Sequence, residues 1–273
     1  MRRIESFQQM MDLSSAVRSR REGLITNFYP DPVKHQVWID RNAAFFDECG
    51  KTVFIAKDNG TFLNVFYIST TIDELRISAP FLKRLGDGRP VVLDIVGRKS
   101  QCAPVVEMLA GEGFGQAAAL VRMQRIATDS DDFPRVDGVS YADLNDVREI
   151  SGCLHKYFNE MLEQIPYDEE LRSLAGSRQI LTIRDNGKLS GFLIFEKNAS
   201  TLYLRYWFTH PEYRDRKVGS GLLRHFFHEG LGTKRQILWV LEDNENAIKR
   251  YSHYGFNNED MHDYIMIWSN TKD

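Results

Sequence analysis

The chain has 273 residues, enough for one large domain or two of ordinary size. Its 42% apolar and 12% aromatic content supports a packed core, while 35 basic against 38 acidic side chains leave a net charge of −3 and no cationic footprint for nucleic acid. No apolar run reaches the length of a membrane span, and the opening MRRIESFQQMMDL lacks the apolar centre of a signal peptide.

Cys49, Cys102 and Cys153 are widely spaced and odd in number, which suits reduced thiols in a cytoplasm better than a disulfide frame; no pair has zinc spacing. In chain order, residues 7–19 and 34–48 carry helical patterns separated by Pro30 and Pro32. Residues 52–70 read as a hairpin turning at Asp58-Asn59-Gly60. A stretch of helical character (72–85), a buried strand (90–96), a helix (104–114) and a strand (118–126) complete this half.

The second half repeats that outline. Residues 180–195 lie against 54–68 with the same Asp-Asn-Gly turn, now Asp185-Asn186-Gly187, and LAGEGF ending at Phe114 lines up with YSHYGF ending at Phe256. The run TDSDDFPRVDG between the halves has few apolar residues and a proline, so residues 129–137 are expected to be a linker between domains 1–128 and 138–273.

The stretch with chemical content follows an apolar strand, residues 202–208. A turn at His210-Pro211 leads to Arg216-Lys217-Val218-Gly219-Ser220-Gly221 and then to a helix burying Leu222, Leu223, Phe226 and Phe227. Strand, glycine turn and helix start make a site for phosphate oxygens, because the first helical turn has unpaired N–H groups and about half a positive charge. Gly219 and Gly221 allow close approach and can take positive φ; Arg216 adds a cation with several donors. Arg214 and Lys217 flank the same turn. Downstream, residues 237–241 read as a buried strand, and Asn246 is placed to open a helix that stops at Gly255.

R-x-x-G-x-G after a strand, followed one helix and one strand later by Asn246, Ala247, Tyr251, Gly255 and Phe256, resembles the GNAT N-acyltransferase superfamily over about residues 138–269. The resemblance implies an α/β (α+β) fold of tandem GNAT-like domains, each a mixed, mostly antiparallel twisted sheet flanked by helices, with the first half degenerate. It implies an acyl-CoA donor, most simply acetyl-CoA, and no metal. The diphosphate would be held by the turn from Arg214 and Arg216 through Lys217, Val218, Gly219, Ser220 and Gly221, with Asn246 near the cofactor arm.

Backbone N–H groups at Phe208 and Thr209 would face the thioester carbonyl, where a preset donor contributes about 2.7–4 kcal/mol. Tyr251 would protonate the leaving thiolate. Its spacing alone also fits simple packing, and Asn246 alone fits a helix cap. No carboxylate stands in residues 202–207, so the general base is unassigned; Glu196, Glu242 and Asp243 are candidates, though each fits a solvated surface charge better. Arg205 in that aromatic strand is costly to bury unpaired and is expected to meet a carboxylate, either Glu196 or one on an acidic or amino-acid acceptor.

His225 and His228, at i and i+3, have no third ligand beside them. Nothing before residue 129 reproduces the turn motif, so one cofactor would bind the second half. The expected reaction is direct acyl transfer to a primary amine on a small molecule or peptide, with no nucleic-acid or membrane partner. A binding module without transfer, or a transferase for longer or carrier-bound chains, fits the same residues.

Overall fold

The computed structural model describes residues 1–128 and 131–270. It divides into two compact units, Met1–Leu120 with the chain from Asp260 onward, and Val121–Glu259. In chain order the first unit has β1 (Arg2–Arg3), α1 (Phe7–Arg18), β2 (Ile25–Thr26), α2 (Pro32–Asp40), β3 (Ala44–Cys49), β4 (Thr52–Asp58), β5 (Leu63–Ser69), α3 (Ile72–Leu85), β6 (Val91–Gly97), α4 (Lys99–Gly111) and the start of β7 (Gly115–Ile126). The second has β8 (Val139–Tyr141), α5 (Val147–Tyr157), α6 (Asp168–Gly176), β9 (Ile180–Asp185), β10 (Lys188–Asn198), β11 (Thr201–Thr209), α7 (Val218–Glu229), β12 (Arg235–Leu241) and α8 (Glu245–His253). Strand β13 (Asn257–Trp268) follows.

The units are cut differently from the division at 129–137. From His262 to Trp268, β13 pairs antiparallel with β6, giving that strand a partner along its length, so the chain's last strand belongs to the first unit. Val121 and Met123 of β7 pack in turn into the core of the second. Asp129 and Ser130 of the expected linker lie outside the described residues. The remainder is no loose tether, because its two apolar residues find partners on α7. The Phe133 ring lies tilted 4.9 Å from that of Phe227, the Val136 N–H donates to His225 Nδ1 at 3.3 Å, and His228 Nδ1 meets the Phe133 carbonyl at 2.8 Å. Arg125 grips Asp131 at 2.6 Å and holds its carboxyl down to about 2.

In the first unit the strand order is β1-β3-β4-β5-β6-β13. The helix expected over 34–48 stops at Asp40. Asn42 turns left-handed at φ 55°, the Ala43 N–H bonds back to the Trp38 carbonyl, and Ala44, Phe45 and Phe46 enter β3 opposite Lys57, Ala56 and Ile55. A run of three apolar residues fits a strand as well as a helix, and the left-handed asparagine decides between them. The helix expected from Pro104 starts earlier, at Lys99, with the proline inside it.

β5 and β6 run parallel and pair only at Leu63/Val91 and Asn64/Val92. Beyond that point the chain fills the gap itself: β2 pairs with Ile68 and Ser69, and the Asn27 side chain bridges both strands. Its amide donates to the Asp94 carbonyl at 2.9 Å, and its oxygen accepts from the Tyr67 N–H at 2.6 Å.

The second unit has the order β12-β11-β10-β9-β8, antiparallel except for β11 with β12. Asn186 (φ 49°) and Gly187 (φ 80°) turn β9 into β10, as expected of an Asn-Gly hairpin. One face carries α7 and α8 over Leu193, Leu204 and Leu238; the other carries α5 and α6 over Phe192, Ile194 and Tyr206. No helix among the described residues is long and apolar enough to cross a membrane.

Asn27→Ala should leave a buried N–H and carbonyl unpaired and lower stability by about 1–3 kcal/mol, read by denaturant unfolding. An unchanged midpoint would mean that water replaces the bridge.

Candidate active site

The site begins with an irregularity in β11. Ile194 of β10 opposes Tyr206, but the next residue, Phe195, opposes Leu204, so Arg205 is an extra residue in the strand. Such a bulge reverses the alternation of side chains. Leu202 and Leu204 face the α7 side before it, whereas Tyr206 and Phe208 face the α5 side after it. Parallel pairing with β12 also ends there, at Leu204/Leu238. From Tyr206 onward, among the described residues, the edge of β11 that had bonded to β12 has no strand beside it.

A cleft of about 1190 Å³ opens along that edge. Trp207, Phe208 and Thr209 of β11 line it, with Tyr157 and Phe158 from the end of α5, Val218, Gly219 and Ser220 from α7, and Asn244 and Asn246 around the start of α8. Arg214, Lys217, Lys249 and Arg250 add positive charge, against the single carboxylate of Asp215.

Helix α7 points its start into this cleft without a side-chain cap. Among the described residues, the N–H groups of Val218, Gly219 and Ser220 have no acceptor. Asp215 (φ 66°) and Lys217 (φ 60°) are both left-handed, a conformation costing roughly 1–2 kcal/mol in a non-glycine residue. The turn carries that strain and presents three amides to solvent.

The glycines act by closeness, since Gly219 and Gly221 lie inside α7 and neither has positive φ. A Cβ on Gly219 would stand 3.0 Å from Thr209 Oγ1 and 3.2 Å from the Trp207 ring. Trp207 Nε1 donates to the Gly219 carbonyl at 3.1 Å and clamps the first turn onto β11. Gly221 faces Ile183 and Val136, away from the cleft.

Residues 144–256 match the model of the acetyltransferase (GNAT) family. This segment is a GNAT domain. No curated protein matches the chain. Among solved structures, a tandem GNAT protein from the clavulanic acid biosynthesis pathway is 14% identical with a TM-score of 0.58, covering 98% of this chain and 96% of its own. A GNAT-family acetyltransferase from Colwellia psychrerythraea is 14% identical (TM-score 0.56; 97% and 98% covered), and a GCN5-related N-acetyltransferase from Sphaerobacter thermophilus is 13% identical (0.57; 94% and 92%). At these identities the likeness is one of fold, and the fold is that of tandem GNAT proteins.

Of the residues expected at the GNAT site, Phe208, Thr209, Arg214, Lys217, Val218, Gly219, Ser220 and Asn246 line the cleft. Arg216, Gly221, Tyr251, Arg205 and Glu196 do not. Arg216 lies over the Tyr213 ring, 3.5 Å from Asp185. Arg205 and Glu196 bond each other at 2.8 Å, which satisfies the buried guanidinium within the protein and gives no geometric support to a role with substrate. The cap of α8 is Asn244, accepting from the Ala247 N–H at 3.1 Å, so Asn246 stands in the first turn. His225 and His228 secure residues 133–136.

Tyr251 sits just behind the cleft wall, its ring 5.6 Å from Trp207 and 5.9 Å from Phe256. Gly255, left-handed at φ 88°, ends the helix, and the Phe256 N–H bonds back to the Tyr251 carbonyl. Burial pushes the Tyr251 hydroxyl well up, so it holds its proton at neutral pH, and among the described residues it donates to no side chain.

Three contributors escaped the sequence reading. Trp207 and Asn244 had ordinary strand and loop identities. Gly191 on β10 had a signal, a glycine inside an apolar strand. A Cβ there would stand 2.6 Å from the Phe208 carbonyl oxygen and 2.8 Å from Val218 Cγ1, so the start of α7 can lie on the sheet only over a glycine. Gly191→Ala should destabilise the chain by about 1–3 kcal/mol, seen as a lowered Tm; an unchanged Tm would show that α7 shifts without penalty.

Proposed function

We propose that this chain transfers an acyl group from acetyl-CoA to a primary amine, by direct attack while donor and acceptor are both bound. The observation that carries the reading is the set of bare Val218, Gly219 and Ser220 amides opening onto a cation-lined cleft where β11 parts from β12. Helix amides of this kind bind phosphate oxygens, and Arg214, Lys217 and Lys249 surround them with charge for a diphosphate and a further phosphate. The donor would supply an acyl thioester, and the unpaired edge of β11 leaves room for its extended arm beside Trp207 and Phe208.

Backbone N–H groups near Phe208 and Thr209 would donate to the reacting carbonyl oxygen. Tyr251, neutral and without a competing acceptor, would give its proton to the departing sulfur. Direct attack needs no covalent acyl-enzyme, and among the described residues no cysteine lines the cleft.

Two variants test this. Gly219→Glu sets a carboxylate beside the bare amides and should abolish stabilisation by CoA, which at 100 times Kd raises wild-type stability by about 2.7 kcal/mol. Its own Tm, compared with that of wild type without ligand, reports any damage to the β11 contact. Retained CoA affinity would place the diphosphate elsewhere. Tyr251→Phe should bind CoA normally and lower kcat by roughly 100-fold or more, measured by thiol release across an amine panel; unchanged kcat would remove the tyrosine from the acid role.

A further inference from the structure

The first turn of α7 is poor in helix formers. Val218, Gly219, Ser220 and Gly221 open it with a β-branched residue, two glycines and a serine, and a glycine in a helix is weaker than alanine by about 1 kcal/mol. Lys217 supplies no side-chain cap, and the Ser220 hydroxyl turns back to donate to the Lys217 carbonyl at 2.9 Å. A first turn of this composition frays unless a group from outside the helix grips it.

The grip comes from β11. Trp207 stands two residues past the extra Arg205, and its Nε1–H reaches the Gly219 carbonyl at 3.1 Å. The indole is itself held on its ring: Tyr251 packs 5.6 Å from it, tilted by 48°, and the Arg250 guanidinium lies 5.8 Å from its centroid. Glycine at 219 is what admits it, because a Cβ there would stand 3.2 Å from Cζ2 and 3.4 Å from Nε1 of the ring.

This bond reaches the bare amides through a peptide plane. The Gly219 carbonyl and the Ser220 N–H belong to one planar trans peptide and point in opposite directions. Holding the oxygen at Nε1 therefore fixes the line along which the Ser220 N–H leaves the helix start, beside the cleft that both residues line. A hydrogen bond at the oxygen also polarises that peptide and makes its N–H a stronger donor.

We propose that Trp207 is the positioning residue for the anion-binding amides of α7, acting through its indole N–H and the Gly219–Ser220 peptide; the assignment rests on the CoA-donor reading above. In this role the indole acts on the diphosphate only through the backbone. A donor already aimed needs no ordering when the ligand arrives, so its orientation appears as affinity.

Trp207→Phe keeps an aromatic ring against Tyr251 and removes the N–H. Calorimetry on the full-length chain should show its Kd for CoA raised about tenfold, and raised by the same factor for 3′-dephospho-CoA, which keeps the diphosphate. With an active wild type, KM for acetyl-CoA should rise by that factor while kcat at saturating donor holds. A packing role alone would lower the ligand-free Tm and leave both Kd values unchanged, which would overturn the assignment. A loss seen with CoA but not with 3′-dephospho-CoA would move the effect to the 3′-phosphate and overturn it as well.

A second measurement needs no variant. In the wild type, the Trp207 indole proton, assigned by its nuclear Overhauser contacts to Gly219 and Tyr251, should exchange slowly with water because it is hydrogen-bonded. Exchange at the rate of a free indole would overturn the assignment even if Trp207→Phe failed to fold. Unchanged affinity in the variant beside normal CoA binding by wild type overturns the positioning role alone. Wild type that binds neither ligand would overturn the CoA reading and the positioning role with it.

Discussion

The separation of β11 from β12 beyond Leu204 and Leu238 is the constraint on which the rest of the second unit depends. Two parallel strands give up their hydrogen bonds there, and the inserted Arg205 makes the change of course possible. Because a bulge exchanges the two faces of a strand, Tyr206 and Phe208 join α5 and α6, while Trp207 turns toward α7 and α8. The exchange puts an indole N–H where it can hold the first turn of α7. The exposed main chain of β11 and the exposed amides of α7 thus come from a single irregularity.

The charges are arranged to leave those amides alone. Arg205, the buried cation of the strand, is neutralised by Glu196; Arg216, two residues before the helix start, leans toward Asp185. What remains around the cleft is positive and close to solvent, from Arg214, Lys217, Lys249 and Arg250. Such a rim attracts a polyanion without requiring buried, unpaired charge, which would be costly to the fold. Deeper in, the ionisable groups are tyrosines whose burial favours their protonated forms.

The first unit shows the same parting of parallel strands put to another use. β5 and β6 separate after Asn64 and Val92, and β2 and Asn27 then fill the gap with hydrogen bonds of the protein's own. A buried main-chain edge must be paired with something. In one unit a side-chain amide does so, and in the other the edge is left to the cleft.

The sequence by itself determined most elements outside residues 34–48 and 138–179, the repeated halves with their Asn-Gly turns, and the family of the second half, because these depend on local periodicity and on residues close together in the chain. It located most of the cleft for the same reason, since residues 208–220 form one continuous stretch. Only the tertiary structure decided which strand completes which unit, that Arg205 is neutralised within the protein, and that glycines 191 and 219 serve close packing rather than turning. Each of these depends on residues tens of positions apart meeting across a sheet, and neither composition nor spacing encodes which long-range partner a strand edge or a buried charge will find.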